Sequence, residues 1–220
     1  MYTLKAKESI ARNSDSLLEA SGRDQLMGFE GASAMSWFSL LKDILSPEWQ
    51  FSGRNKRPPK DPMNALFSLS YTMATADVYK TVHERGMDPC IGFLHAARPG
   101  RDSFVLDVLE PLRPGADQFC LTLANTTMHP EQFTQSDHEG CRINNQGRRL
   151  YFNNWSQWRS TWPYIISQSN LDTEDDDEDD YYESSEENPF INKDSKSIRI
   201  CCLQIINEVT QCFKQMDDFE

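Results

Sequence analysis

Apolar side chains in this chain recur every three to four residues, and that period limits the possible folds more than any other feature. From Asp24 onward Leu26, Phe29, Ala34, Trp37, Phe38, Leu41 and Ile44 follow helical spacing and stop before Pro47, which predicts an amphipathic helix. A polar stretch from about Leu4 to Ser21 reads as an earlier helix. Gly53 to Lys60 is basic and contains Pro58 and Pro59, with Pro62 just beyond. Prolines of this density cannot occupy a helix interior, so the segment is an extended loop. Asp61 then caps a long helix with Pro62 at its first position. That helix turns Leu66, Leu69, Met73 and Val78 inward and stops at Gly86. Ser103 reads as the cap of another helix, with Phe104, Leu106, Val108, Leu109 and Leu112 apolar and Pro111 late. Asp117 to Asn125 finishes a helix. Trp155, Trp158 and Trp162 recur at spacings of three and four, for which core packing is the first reading and stacking on unpaired bases the second. Near the end, Ile198, Cys202, Ile205, Ile206, Val209, Cys212 and Phe213 share one face of an amphipathic helix that packs on the body or on a second copy. The expected class is all-α, and 220 residues suffice to bury a real core.

A formal charge of −12 argues against a nucleic-acid partner until its distribution is considered. Residues 172–187 hold eleven acids and no base, so removing them from −12 leaves −1 for the rest. Cationic surface must come from local clusters: Arg54, Lys56, Arg57 and Lys60, or Arg98 and Arg101. The acidic run cannot bury enough apolar surface to fold and reads as a disordered linker. Six cysteines without a CxxC pair read as reduced, mostly buried thiols of a cytoplasmic protein. No signal peptide and no apolar run of membrane-spanning length is visible, so no membrane is expected.

The chemistry concentrates in GFLHAARPGRDSFVLDVLEPLRP, residues 92–114, which gathers His95, Asp107 and Glu110 with Arg98, Arg101 and Arg113. Asp107 and Glu110 stand three apart and project from one helical face. One ring nitrogen with several hard oxygens is the ligand mix of Mg²⁺ or Mn²⁺ rather than a structural zinc. Solvation of a helix face is the bland alternative. Glu30 lies within the apolar stripe of its helix, beside the small residues Gly31, Ala32 and Ala34. Such a carboxylate calls for a partner, which the local sequence leaves open between a metal and a cation such as Arg23. Arg54 and Arg57, beside a helix start, read as solvated loop charges or as clamps on a phosphodiester. His129 and His138 sit in a polar loop and read as solvated.

Three segments together resemble the catalytic domain of the CRISPR-associated integrases, the Cas-one endonucleases of spacer acquisition. LMGFEGASAMSWF resembles that family's Leu-x-Gly-x-Glu-Gly-x-x-Ala helix, and NKRPPKDPMNALFSLSYT its Pro-Pro-x-Asp-Pro-x-Asn-Ala-Leu helix. Residues 92–114 resemble its Gly-x-x-His turn and Leu-Asp-x-x-Glu-Pro-x-Arg-Pro helix. Similarity runs from about residue 5 to about 155. It implies a helical, metal-dependent catalytic domain, placed over 1–171, while composition and periodicity place the acidic linker over 172–187 and a C-terminal helix, packing on the body or on a second copy, over 188–220. It implies Glu30, His95 and Glu110 as ligands of Mg²⁺ or Mn²⁺, with Asp107 as a further ligand or the group behind one. Asn64 and Tyr71 would face the site, and Arg98 and Arg101 would meet the DNA backbone. Ser70 departs from the family's Gly before Tyr, a bulkier contact that leaves activity expected.

The resemblance further implies joining of DNA 3′-hydroxyl ends to a repeat array by transesterification, or nicking where water attacks. The expected partners are prespacer and repeat DNA, other copies of the chain, and a Cas-two or other adaptation partner. The family's usual N-terminal β domain has no counterpart ahead of Glu30, so a helical assembly or a partner chain is expected to replace it. The alternatives are a structure-specific nuclease or transposase-like relative using the same site, and a non-catalytic DNA-binding assembly subunit. Covalent attack by Tyr71 is the runner-up chemistry. The acidic run is a solubilising linker or an imitation of a nucleic-acid backbone that competes for the Arg-lined groove. Deletion of 172–187, with affinity for random duplex DNA measured at fixed salt, separates these: a linker leaves affinity unchanged and a mimic raises it.

Overall fold

The computed structural model describes residues 2–17, 19–163 and 196–217. Helices α1 (Tyr2–Leu17) and α2 (Arg23–Ile44) pair as a hairpin. Small polar residues let them meet: Ser9 Oγ lies 3.0 Å from Ser36 Oγ, and Asn13 donates to Ser33 at 3.1 Å. Helix α3 (Pro62–Glu84) begins as its sequence predicts, because Asp61 accepts the Asn64 amide at 2.8 Å. Beyond its last turn Gly86 takes φ +67°, a backbone that favours glycine.

The next rod is broken at Pro111. Helix α4 (Ser103–Leu109) passes through one 3₁₀ turn, Glu110–Leu112, into α5 (Arg113–Thr126). Pro111 has no N–H to close an α-type bond and its ring crowds the preceding turn, so the helix tightens there. Ser103 is not the cap: Asp102 precedes the helix, and the buried Ser103 hydroxyl donates to the Ala96 carbonyl at 2.9 Å.

An antiparallel hairpin, β1 (Phe133–Ser136) with β2 (Gly140–Ile143), interrupts the otherwise helical chain, pairing Phe133 with Ile143 and Ser136 with Gly140. The helical class expected from the sequence holds, and this hairpin is a local addition to it, its short polar strands carrying no clear alternation. The hairpin locks onto the proline loop through Cys141 N–H to Pro59 O at 2.7 Å. Gly140 is required there: its φ is +72°, and a Cβ would lie 2.4 Å from Pro59 O.

Helix α6 (Asn145–Ser160) supplies the aromatic core. Trp155 is 2% exposed, and Phe119 packs against Tyr151, Trp155 and Trp158 with ring centroids 5.4, 5.1 and 5.6 Å away. Each such pair contributes about 0.5–1.5 kcal/mol beyond area burial. With Trp162 also buried, these indoles are core and have no face to offer a base. Helix α7 (Ile198–Asp217) packs on α3 and α4 through Ile198, Cys201, Cys202, Ile205 and Ile206. Its buried seam is shorter than the sequence implies: Cys212 and Phe213 are exposed. The acidic run 172–187 lies outside the described residues. No helix among the described residues is long and apolar enough to cross a membrane.

One buried carboxylate ties three helices. Asp117 of α5, 6% exposed, accepts Trp37 Nε1–H of α2 at 2.8 Å and the Tyr71 hydroxyl of α3. Burial raises its pKa from 3.8 to about 6, although both hydrogen bonds and the Arg113 and Arg54 charges act the other way. A folded pKa above the unfolded one means that the folded chain binds a proton more readily. The resulting stability is full below about pH 4 and is lost as pH rises through about 6. Asp117→Asn should therefore remove about 3 kcal/mol of this pH dependence, read as the difference between variant and parent in urea unfolding at pH 4 and pH 7.

Candidate metal centre

Asp107 organises the site. Its Oδ2 accepts the amides of Phe93 and Leu94 at 2.6 and 2.9 Å, and its Oδ1 accepts the His95 amide and His95 Nδ1–H at 2.8 and 2.6 Å. An ionised carboxylate only accepts, so Nδ1 carries a proton toward Asp107 and Nε2 is the ring nitrogen left facing the rest of the site. Both Asp107 oxygens are thereby engaged and buried. Of the two roles open to Asp107 in the sequence, its contacts match the group behind His95 rather than a further ligand. Gly92 permits this wrap, because a Cβ there would stand 2.6 Å from Asp107 Oδ2 and 2.8 Å from the His95 carbonyl.

His95 Nε2 points toward Glu110, 4.0 Å from Oε1, and the same oxygen receives Arg113 Nη2 at 3.0 Å. Burial, and then the charge of Glu30, raises the Glu110 pKa, while Arg113, His95 and Lys56 pull it down. Glu30 is half-buried on α2 and is close enough to act electrostatically on both Glu110 and Lys56. Its suggested partner Arg23 is 3.9 Å from Asp24 instead. Among the described residues no three His, Cys, Asp or Glu side chains are drawn together as a formed metal cluster. The donor set nonetheless fits a hard divalent cation: a ring nitrogen of fixed tautomer and two carboxylates, one of them pushed toward neutrality by burial and by the other.

The remaining predicted residues separate into interior and surface groups. Asn64 is wholly buried, and all its polar positions are satisfied. Its Oδ1 accepts from Arg54 Nη1 at 2.9 Å and from the Asn55 amide at 3.0 Å, while Nδ2 donates to Gly53 O and Asp61 Oδ2 at 2.8 and 2.7 Å. With no atom left for a phosphate, Asn64 anchors the proline loop to α3 rather than meeting DNA. Arg54 is likewise drawn inward, to Asn64, Ser68 and the Asn55 carbonyl, and lies 5.4 Å from the Tyr71 ring centroid. Burial lowers its pKa, and its role is to stitch loop to helix.

Tyr71 stacks beneath both Arg54 and Arg113, each 5.4 Å from its ring centroid. Burial and Asp117 drive its hydroxyl pKa far up, the opposite of an activated nucleophile. Arg57, Arg98 and Arg101 remain at the surface. Arg98 and Arg101 flank a turn whose Gly100 has φ +72°. Arg57 shares a cleft with Lys56, Arg142, Arg148 and the exposed ring of Phe152. His129 and His138 are exposed, as a solvated reading requires. Sequence reasoning gathered Arg113 with this centre, three residues beyond Glu110, and passed over two other residues. Asp117 and Trp37 had no local signal, because their bond joins positions 80 residues apart.

Comparison with known proteins identifies the family and the fold. Residues 3–157 match the family described as CRISPR associated protein Cas1. A CRISPR-associated endonuclease Cas1 of Methanospirillum hungatei is 38% identical over 139 residues, covering 62% of this chain and 39% of that protein. One from Rhodospirillum rubrum is 35% identical over 163 residues, 70% of this chain and 47% of that protein. A solved CAS1 protein from Thermotoga maritima superposes with a TM-score of 0.63 at 29% identity, over 68% of this chain and 49% of that one. A casposase bound to integration product shares the fold at TM-score 0.68 and 18% identity, covering 89% of this chain and 49% of that one. The chain thus spans less than half the length of these curated relatives. It belongs to the Cas1 family of CRISPR-associated proteins.

Proposed function

We propose that this chain forms the catalytic part of a metal-dependent DNA endonuclease and integrase of CRISPR adaptation, joining DNA 3′-hydroxyl ends to a repeat array by transesterification. The observation that carries this reading is His95, held by Asp107 with Nε2 directed at Glu110, a carboxylate that lies within the electrostatic reach of Glu30. Glu30, His95 and Glu110 would hold Mg²⁺ or Mn²⁺. When bound, that ion supplies Lewis-acid polarisation of a phosphodiester and eases deprotonation of an attacking water or 3′-hydroxyl.

The chain's own residues do the rest. Asp107 fixes the His95 tautomer and turns the ring, a support whose loss typically costs 10–100-fold in metal affinity or activity. Arg113 keeps Glu110 extended and contributes positive charge beside the reacting phosphate. Lys56, its pKa lowered by partial desolvation and by Arg113 and Arg54, supplies a second cation at the rim. Arg57 and Arg148 extend the cationic surface away from the centre, and Arg98 and Arg101 flank its other side as backbone contacts. DNA, further copies of the chain and a Cas2-type protein are the partners that follow from this reading.

The test is incubation with Mn²⁺, a short duplex bearing 3′-hydroxyls and a supercoiled plasmid carrying a repeat array. Joined product is expected; nicking alone would reassign the chain to a structure-specific nuclease. His95→Ala should lower product formation at least about 100-fold. Gly92→Ala, which forces Asp107 away from the loop amides, should lower it at least about tenfold. The paired change Arg57→Ala with Arg148→Ala should weaken duplex binding across sequences. It should also reduce the slope of log K against log salt by about 2, measured by fluorescence anisotropy.

A further inference from the structure

Helix α2 carries Glu30 to the centre, yet few directional contacts hold that helix in place. Its side-chain hydrogen bonds at Ser33 and Ser36 run to α1. Among the described residues its one side-chain hydrogen bond to α3, α4 or α5 is Trp37 Nε1–H to Asp117 Oδ2, at 2.8 Å. The other attachments carry no hydrogen bond: Leu41 is fully buried, Phe38 meets Phe67 edge-on with centroids 5.8 Å apart, and the Arg54 guanidinium carbon lies 6.0 Å from the Phe38 ring centroid. Apolar burial is non-directional and tolerates sliding along a helix axis. A buried hydrogen bond does not.

The spacing on both partners gives that bond its consequence. Trp37 follows Glu30 by seven residues, two turns or about 10 Å along the same face. Asp117 follows Glu110 by seven residues, along a backbone that keeps helical dihedrals at Leu109, Glu110, Leu112 and Arg113. A bond between the second member of each pair therefore sets how closely the first members approach.

Asp117 reaches Glu110 by a second route as well. Its other oxygen accepts the Tyr71 hydroxyl, the Tyr71 ring lies 5.4 Å from the Arg113 guanidinium carbon, and Arg113 bonds Glu110 at 3.0 Å. One buried carboxylate is thus connected to both acidic side chains of the centre while touching neither.

We propose that Asp117 is the positioning residue of the centre: through Trp37 and Tyr71 it fixes the separation of Glu30 and Glu110, and with it the affinity for a divalent cation. This rests on the metal-dependent reading given above. A purely structural Asp117 would affect folding stability alone, whereas a positioning residue also alters ion affinity at matched stability.

The experiment measures Mn²⁺ binding to the full 220-residue chain by loss of the free-ion electron paramagnetic resonance signal, with Tm recorded in parallel. Trp37→Phe keeps an aromatic ring and deletes the N–H, and Asp117→Asn replaces one of the two acceptors by an amide donor and removes the charge. Tyr151→Phe is the control, since it deletes one buried hydrogen bond, to Ser70 Oγ at 3.0 Å, away from Glu30. Trp37→Phe and Asp117→Asn should raise the Kd for Mn²⁺ about tenfold or more. Tyr151→Phe should stay within about twofold at a comparable loss of Tm. An unchanged Kd in Trp37→Phe, or an equal loss in Tyr151→Phe, would overturn the role of Asp117 while leaving the metal centre standing. Mn²⁺ binding insensitive to Glu110→Gln would overturn both. If Asp117→Asn fails to fold, Trp37→Phe decides alone.

Discussion

The Asp107 carboxylate is the interaction on which the centre depends. Residues 88–102 form no helix or strand of their own, so the placement of His95 cannot come from secondary structure. It comes from three successive amides, Phe93 to His95, that converge on one buried acceptor projecting from α4. A buried ionised carboxylate would be costly alone, and four donors offset that cost. The same bonds that satisfy Asp107 leave His95 one orientation and one tautomer. Removing the acceptor would strand three amides and free the ring together, so the loop's order and the imidazole's chemistry are a single property.

Much of this was legible because the relevant signals are local. Asp61 before Pro62, Gly86 after the last apolar residue, and the i, i+3 pair of Asp107 and Glu110 each act within one turn of chain. The structure places them as the sequence implies. The β1–β2 hairpin was not legible, because its strands are four residues long and are stabilised by docking on Pro59 rather than by an apolar pattern. Asn64 and Arg54 failed for a related reason. A polar residue at the start of a helix looks like a ligand contact in sequence, and only the folded proline loop reveals that the Asn64 amide and the Arg54 terminal nitrogens are spent on joining loop to helix.

The positive charges around the centre also divide by burial. Arg54 and Arg113 share the Tyr71 ring, where a guanidinium can lie flat against an aromatic face with less desolvation penalty than an ammonium. Lys56, Arg57, Arg98 and Arg101 stay near solvent, on loops that α3 and α4 hold in place. The inner pair joins the elements around the site, and the outer set leaves its charge near solvent. Net composition hides this, since −12 for the whole chain coexists with a cationic rim.

Glu30 and Glu110 raise the last question of balance. Two carboxylates within electrostatic reach, one of them largely buried, repel each other, and the rise in the Glu110 pKa registers that repulsion together with burial. Arg113 and Lys56 relieve it only in part. Arg113 contacts Glu110 from the adjoining turn of helix, while Lys56, on a loop, acts electrostatically on both acids. The two acids thus stand as like charges on separate rods, and under the function proposed above the spacing that Trp37 and Asp117 set between them would suit a divalent cation.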